Sequence, residues 1–230
     1  MKKIIERLGL SVLLLLILLW AGLDALGQPD HQPATIKLSP EGAVDKILRT
    51  IGSSHQGVEV RLHGSCASGA VPIDIPSITW QDPVRARDAA VAIRDALRAN
   101  EQLSVARVSR HVIVVKDAGV RNEVLDTRIR TLELNSESWS PTMIVMIAIR
   151  SQEVQETMRQ KGIKTPISNG GLAGGVRGLH MPRRIENATL GEVFNAVLRK
   201  FGGIVLYDDC SSPDGKALLY VHYYYNLPAK

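Results

Sequence analysis

Two distant stretches of the chain share one order of elements, and that order limits the fold more than any other feature. Residues 43–66 and 189–210 each contain a helical pattern, a glycine and an apolar strand pattern that ends in cysteine. Val44, Ile47, Leu48 and Ile51 recur at helical spacing in the first stretch, and a similar apolar face runs from Leu190 to Phe201 in the second. The shared order predicts two related units, each a helix packed on a sheet. Chance is the alternative, because the order helix, glycine, strand is common.

The remaining patterns place the chain in the α+β class. Val58, Val60 and Leu62 alternate with polar residues and predict a half-buried strand, while "LSVARVS" and "HVIVVKD" predict a hairpin. "RIRTLELN" and "RRIENATL" predict further strands. Ser140-Pro141 predicts the start of one helix through "MIVMIAIRSQEVQETMRQKG". Helices on small mixed or antiparallel sheets, rather than regular βαβ units, are typical of α+β proteins.

The N-terminus predicts export. "MKKIIERLG" is basic, "LSVLLLLILLWAGL" is apolar, and Ala25 and Gly27 precede a possible cleavage site before Gln28. These three regions are typical of a secretory signal peptide over residues 1–27, followed by a linker over residues 28–33. The leader predicts a bacterial periplasmic or secreted protein. An uncleaved inner-membrane anchor is the alternative, and the membrane would then be contacted through the leader alone.

The charge pattern argues against nucleic-acid binding. The chain carries a net charge of +5 and has a pI near 9.3. Its Arg and Lys residues are scattered among acidic residues, whereas nucleic-acid binding usually requires a clustered basic face. A solvated surface with weak attraction to anionic envelope polymers fits better.

Parts of the chain resemble the short N-terminal module of secretins and TonB-dependent receptors. "DPVRARDAAVAIRDALRANEQLSVARVSRHVIVVKD" is similar to the helix, hairpin and closing strand of that family, and "NATLGEVFNAVLRKFGGIVLYDD" is similar to its first half. The resemblance divides the chain into a unit at 34–117, a connecting helix and glycine-rich loop at 118–180, and a second, partial unit at 181–230. It implies an envelope module that docks onto another protein.

Two cysteines, Cys66 and Cys210, end the two related strands. Export to an oxidising compartment and an even cysteine count favour a disulfide between them. Two buried thiols are the alternative. A cysteine hydrolase using His63 and Cys66 is the least favoured reading, because no acid that would orient the histidine is evident.

The one aromatic cluster, "HYYYN", contains Tyr223, Tyr224 and Tyr225 and is the candidate surface for a ligand or partner. Core packing is the alternative for these rings. The histidines are dispersed, and the adjacent Asp208 and Asp209 point to opposite faces of a strand, so we expect no metal, cofactor or catalytic site. The predicted function is a non-catalytic interaction or assembly module with an envelope protein partner. The alternative is a periplasmic binder of glycan, peptidoglycan or a small ligand.

Overall fold

A computed structural model of the protein describes the following helices and strands in chain order. The elements are β1 (Gly57–Ser65), α1 (Ala89–Ala96), β2 (Leu103–Arg107), β3 (Val112–Asp117), β4 (Arg128–Glu133), α2 (Pro141–Ile149), α3 (Gln152–Gln160), β5 (Arg184–Thr189), α4 (Leu190–Phe201), β6 (Gly203–Ser211) and β7 (Ala217–Tyr224).

The structure describes only part of the chain: Val44, Lys46, Ile47 and Thr50, and residues 56–65, 89–98, 103–134, 140–165, 180–212 and 214–224. These residues belong to the second of two compact units, Lys37–Lys230. The predicted leader and linker lie outside them, as does most of the glycine-rich loop. Within the described residues, no helix combines the length and the apolar character that a membrane span requires.

Five strands form one mixed sheet in the order β2-β3-β1-β6-β7. The central strand β1 runs parallel to both of its neighbours, with Val58 opposite Ile113 on β3 and Ile204 on β6. The outer strands β2 and β7 each form an antiparallel pair with the strand inside them, as expected for two short hairpins. A second, two-stranded antiparallel sheet joins β4 to β5.

The α+β class is confirmed, but the two predicted units do not build separate sheets. β1 from the predicted unit at 34–117 pairs with β6 from the predicted unit at 181–230, from Gly57 opposite Gly203 to Ser65 opposite Ser211. The two strands that share the sequence pattern therefore lie side by side. One continuous sheet satisfies the backbone N–H and C=O groups of β1, because a buried central strand needs a partner on each side.

The two faces of this sheet carry two cores. On one face, the α1 core joins Val44, Ile47 and the buried side of α1 to Val58, Val60 and Leu62 of β1. On the other face, the α4 core combines α2, α3, α4 and β4 with residues of β3, β6 and β7. The helical residues that precede β1 and the helix that precedes β6 thus lie on opposite faces, although they share one sequence pattern.

Local signals explain how α4 is placed. Thr189 and Glu192 form the reciprocal capping box, in which the Thr189 hydroxyl accepts from the Glu192 N–H at 3.2 Å and the Glu192 carboxylate accepts from the Thr189 N–H at 2.7 Å. Leu190, Val193 and Phe194 turn its apolar face to the core. Gly57 allows the helix to approach β1, because a Cβ at that position would lie 2.7 Å from the Cβ of Leu198.

The helix predicted to begin at Pro141 is two helices. Ser140 caps α2 by accepting from the Met143 N–H at 3.2 Å, as its sequence predicted. The chain then breaks at Arg150 and Ser151, where Ser151 adopts an extended backbone and precedes α3. The Gln155 side chain donates to the Ile149 carbonyl at 2.8 Å, which satisfies one acceptor at the end of α2. The break lets an apolar helix and an amphipathic helix take different directions.

Candidate functional site

An open groove of about 780 Å³ lies between the chain that enters β5 and the last turns of α4. The residues that line it are strongly basic as a set: His180, Met181, Pro182, Arg183, Arg184, Ile185, Ala196, Arg199 and Lys200. Arg183, Arg184, Arg199 and Lys200 carry permanent positive charge at neutral pH, and no residue of this described lining is acidic. We call this feature the basic groove.

The cations on the two walls of the basic groove come from α4 on one side and from the start of β5 on the other. On α4, Val197 and Leu198 are fully buried, so the next two positions, Arg199 and Lys200, fall on the exposed side of the helix. Both cations lie in its last turn, where they also offset the negative end of the helix dipole. On the other wall, Arg184 begins β5 and forms an ion pair with Glu186 at 2.8 Å.

The base of the basic groove is apolar. The side chain of Met181 is only 7% exposed and belongs to the α4 core. Ile185 and Ala196 are partly buried and pack against the same core. The groove therefore combines cationic walls with an apolar floor, an arrangement that suits a ligand carrying both anionic groups and apolar side chains.

A second polar feature lies in the interior, on the central strand β1. Glu59 is fully buried, and its two carboxylate oxygens accept from Arg61 Nε at 2.9 Å and from Arg61 Nη2 at 3.0 Å. Burial raises the pKa of Glu59, while the hydrogen bonds and charge of Arg61 act in the opposite direction. The prediction that β1 is half-buried is wrong on this side, because α4 covers the face on which Glu59 lies.

Further along the same strands, Asp209 joins His63 and Arg121. The side chain of Asp209 is 2% exposed and forms a two-point ion pair with the Arg121 guanidinium, including Nε to Oδ2 at 2.7 Å. This hydrogen bond is the main reason why the pKa of Arg121 is raised. His63 Nδ1 lies 2.7 Å from the Asp209 carbonyl oxygen, which can only accept, so Nδ1 carries a proton.

Tyr207 completes this interior network. Its hydroxyl donates to the Arg121 carbonyl at 3.4 Å, and burial raises the pKa of the phenol. The carboxylates of Glu59 and Asp209 are thus each held by an arginine, and Tyr207 stays protonated at any physiological pH. These contacts fix the loop that follows β3 onto the sheet.

The tyrosine cluster is not an exposed row where the structure describes it. Tyr223 is 8% exposed and lies in the α4 core, and Tyr224 is 6% exposed and lies in the α1 core. The Tyr223 hydroxyl donates to the Gly202 carbonyl at 2.7 Å, and the Tyr224 ring packs 6.2 Å from the ring of His222. Strand alternation sends neighbouring rings to opposite faces, and here both faces are covered. Tyr225 lies outside the described residues.

The structure describes only one of the two cysteines of the predicted disulfide. Cys210 is 1% exposed and lies opposite Gly64 of β1. Cys66 lies outside the described residues, so no disulfide joins two residues that the structure describes, and the Cys66–Cys210 bond stays a prediction. The same holds for the Cys66 thiol of the hydrolase hypothesis.

The aspartates near the β6–β7 turn have separate partners. Asp214 contacts Ser212 and Lys216, and these hydrogen bonds lower its pKa to about 2. Asp209 faces Arg121 instead. In the part of the chain that the structure describes, no group of three or more His, Cys, Asp or Glu side chains could hold a metal ion.

Sequence reasoning missed the basic groove, because its cations come from two segments that the sequence separates. "MPRR" and "LRK" are each short basic runs, and only the packing of α4 beside β5 brings them together. Comparison with known proteins finds no matching family model, curated protein or solved structure.

Proposed function

We propose that the chain is an exported bacterial envelope protein that acts as a non-catalytic interaction module. The basic groove is the observation that carries this proposal, since it is an open, charged and partly apolar surface formed by described residues. The interior titratable groups support the same reading, because Glu59, Asp209 and Tyr207 are each engaged in internal contacts. The resemblance to the docking module of secretins and TonB-dependent receptors points in the same direction.

A photo-crosslinking amino acid at position 200, in the groove, tests the interaction in the cells that produce the protein. The matched control carries the same amino acid at position 110, where Arg110 is exposed in the turn between β2 and β3. We expect a discrete adduct with an envelope protein from position 200 and none from position 110. Adducts with cell-wall material alone would favour the glycan binder, and no adduct from position 200 would refute the proposal.

Export of the protein and cleavage of its leader are tested by a separate measurement. The leader pattern predicts cleavage before Gln28, so the mature protein is expected to begin at that residue. Intact mass and N-terminal sequence of the protein from its native cells check this directly. Retention of residues 1–27 in the membrane fraction would instead support the uncleaved anchor.

We also propose that Cys66 and Cys210 form a disulfide in the exported protein. The support is the strand register: Ser65, which precedes Cys66, lies opposite Ser211, which follows Cys210. Cys66 thus directly follows β1, and Cys210 is the second-to-last residue of β6, the parallel strand beside it. Thiol titration of the unfolded protein is expected to find no reactive thiol before reduction and two after it; such a bond would also exclude Cys66 as a nucleophile.

The glycan-binding alternative rests on the tyrosine row and on the basic charge of the chain. Of that row, the described Tyr223 and Tyr224 are buried and cannot stack on sugar rings. The lining of the basic groove contains no tyrosine, tryptophan or phenylalanine. A protein partner fits the groove better than a sugar chain does.

A further inference from the structure

We infer that the basic groove binds an acidic, extended segment of the partner protein, with its carboxylates on the cationic walls and its apolar side chains on the floor. This inference deepens the proposed function and rests on it. It names the chemistry of the partner: a peptide stretch in which Asp or Glu residues alternate with aliphatic ones.

Charge is the first argument. Arg183, Arg184, Arg199 and Lys200 meet around one concavity whose described lining contains no carboxylate, and of these Arg184 is paired with Glu186, which lies outside the lining. Like charges that share a groove repel one another, and an anionic ligand relieves that repulsion. Three of the four are arginines, whose planar guanidinium groups match a carboxylate with two parallel hydrogen bonds.

The second argument is the apolar floor of the groove, because it favours a peptide ligand over a polyanion that has no apolar side chains. Met181, Ile185 and Ala196 offer aliphatic surface that a phosphate polymer cannot use. Single-stranded nucleic acid would need aromatic platforms for its bases, and the lining contains neither tyrosine nor tryptophan nor phenylalanine. Alternating side chains of an extended peptide can meet both the walls and the floor, since successive residues point in opposite directions.

Shape is the third argument. The groove is open to solvent rather than enclosed, and it is about 780 Å³ in volume. A closed pocket would favour a small molecule that is buried on most sides. An open surface of this kind leaves room for a polypeptide segment that lies across it.

Fluorescence anisotropy with the mature chain tests the inference. The probe is a labelled peptide that alternates Glu with Leu, compared with the same peptide carrying Gln in place of Glu and with polyphosphate of equal charge. We expect the Glu peptide to bind at least about tenfold more tightly than the Gln peptide. We also expect its binding to weaken as salt rises, because the contacts lie at the surface.

Charge reversal locates the binding. The double variant Arg183→Glu/Lys200→Glu is expected to lose at least about tenfold in affinity for the Glu peptide. The matched control Arg110→Glu/Lys161→Glu reverses two exposed cations elsewhere and is expected to bind like the wild type. The milder Arg199→Gln/Lys200→Gln variant serves where reversal prevents folding, and unchanged urea midpoints show that each variant is folded.

Three results would overturn the inference: no binding of the Glu peptide, equal binding of the Gln peptide or polyphosphate, or equal binding by the groove variant. The proposed function is decided separately, by crosslinking from position 200. An envelope protein captured there, together with failure of the acidic peptide, would keep the interaction module and remove only the acidic partner.

Discussion

Glu59 and Arg61 form a charged pair on the central strand of the sheet, where apolar side chains would be expected. Glu59 is fully buried and Arg61 is 17% exposed, so removing one partner leaves a charge without compensation in the interior. Replacing both by apolar residues removes that penalty, because the desolvation cost of a buried pair is close to what its attraction returns. The pair is therefore not expected to be a large net source of stability.

The change Arg61→Met is expected to lower the free energy of unfolding by about 3 kcal/mol, since Glu59 then stays buried alone. The double change Glu59→Met/Arg61→Met is expected to recover most of that loss. Urea denaturation measures both. The exposed pair of Arg130 with Glu153, where Arg130 is 84% exposed, is the control. Arg130→Met should cost less than about 1 kcal/mol. A double variant less stable than Arg61→Met would contradict this reading of the pair.

His222 is expected to make the protein sensitive to mild acid. Burial lowers its pKa from the ordinary value of 6.5. Below 6.5 the unfolded chain binds a proton that the folded chain resists, so the free energy of unfolding falls as pH drops from 6.5 toward the lowered pKa.

The test compares the wild type with His222→Gln by urea denaturation at about pH 7.5 and about pH 5.5, a range in which His is the side chain that ordinarily titrates. The variant cannot take up the proton and should lose less stability on acidification. His111→Gln, at an exposed position, should keep the wild-type dependence. Equal losses in the wild type and His222→Gln would refute the assignment to His222.

At the scale of single elements, cap residues determined where helices begin. Ser140 with Pro141 marked α2, and Thr189 with Glu192 marked α4, because these side chains satisfy backbone donors that the helix itself leaves unpaired. Ser151 marked the start of α3 without a side-chain cap bond, and its signal was hidden inside a continuous helical pattern. Continuous periodicity alone does not reveal a change of helix direction.

Thr189→Ala is expected to destabilise the protein by about 1 kcal/mol, because the first turn of α4 loses its hydroxyl acceptor. Thr189→Ser keeps that acceptor and should stay within a few tenths of a kcal/mol of the wild type. Thermal or urea unfolding compares the three proteins. Equal stability of the alanine and serine variants would show that the capping box contributes little to α4.

At the scale of the whole molecule, the parallel pairing of β1 with β6 makes the two predicted units depend on each other. β1 is bonded to β3 on one side and to β6 on the other, and α4 covers its polar face through Gly57. A unit ending at residue 117 would lose β6 and α4 together. In that fragment, β1 would become an edge strand. The Glu59–Arg61 pair, which is buried in the full chain, would then face water.

A fragment of residues 34–117 is therefore expected not to unfold cooperatively on its own, whereas the full chain should unfold in one transition. Urea titration followed by circular dichroism compares the two. A fragment of residues 34–230 is the matched control, because it removes the same N-terminal segment but keeps the complete sheet. Cooperative unfolding of the shorter fragment would instead show that the first of the two related units folds on its own.

The sequence by itself determined the α+β class, both hairpins, β4, β5 and the starts of α2 and α4, because short-range periodicity and cap chemistry encode them. It could not determine that β1 and β6 share one sheet, since strand pairing across more than a hundred residues is a choice among many partners of similar apolar pattern. Burial of Glu59, Tyr223 and Tyr224 followed from that pairing, because both faces of the sheet are covered at these positions. The basic groove likewise exists only in the tertiary structure, because packing α4 beside β5 brings together cations that lie too far apart along the chain to form a recognisable motif.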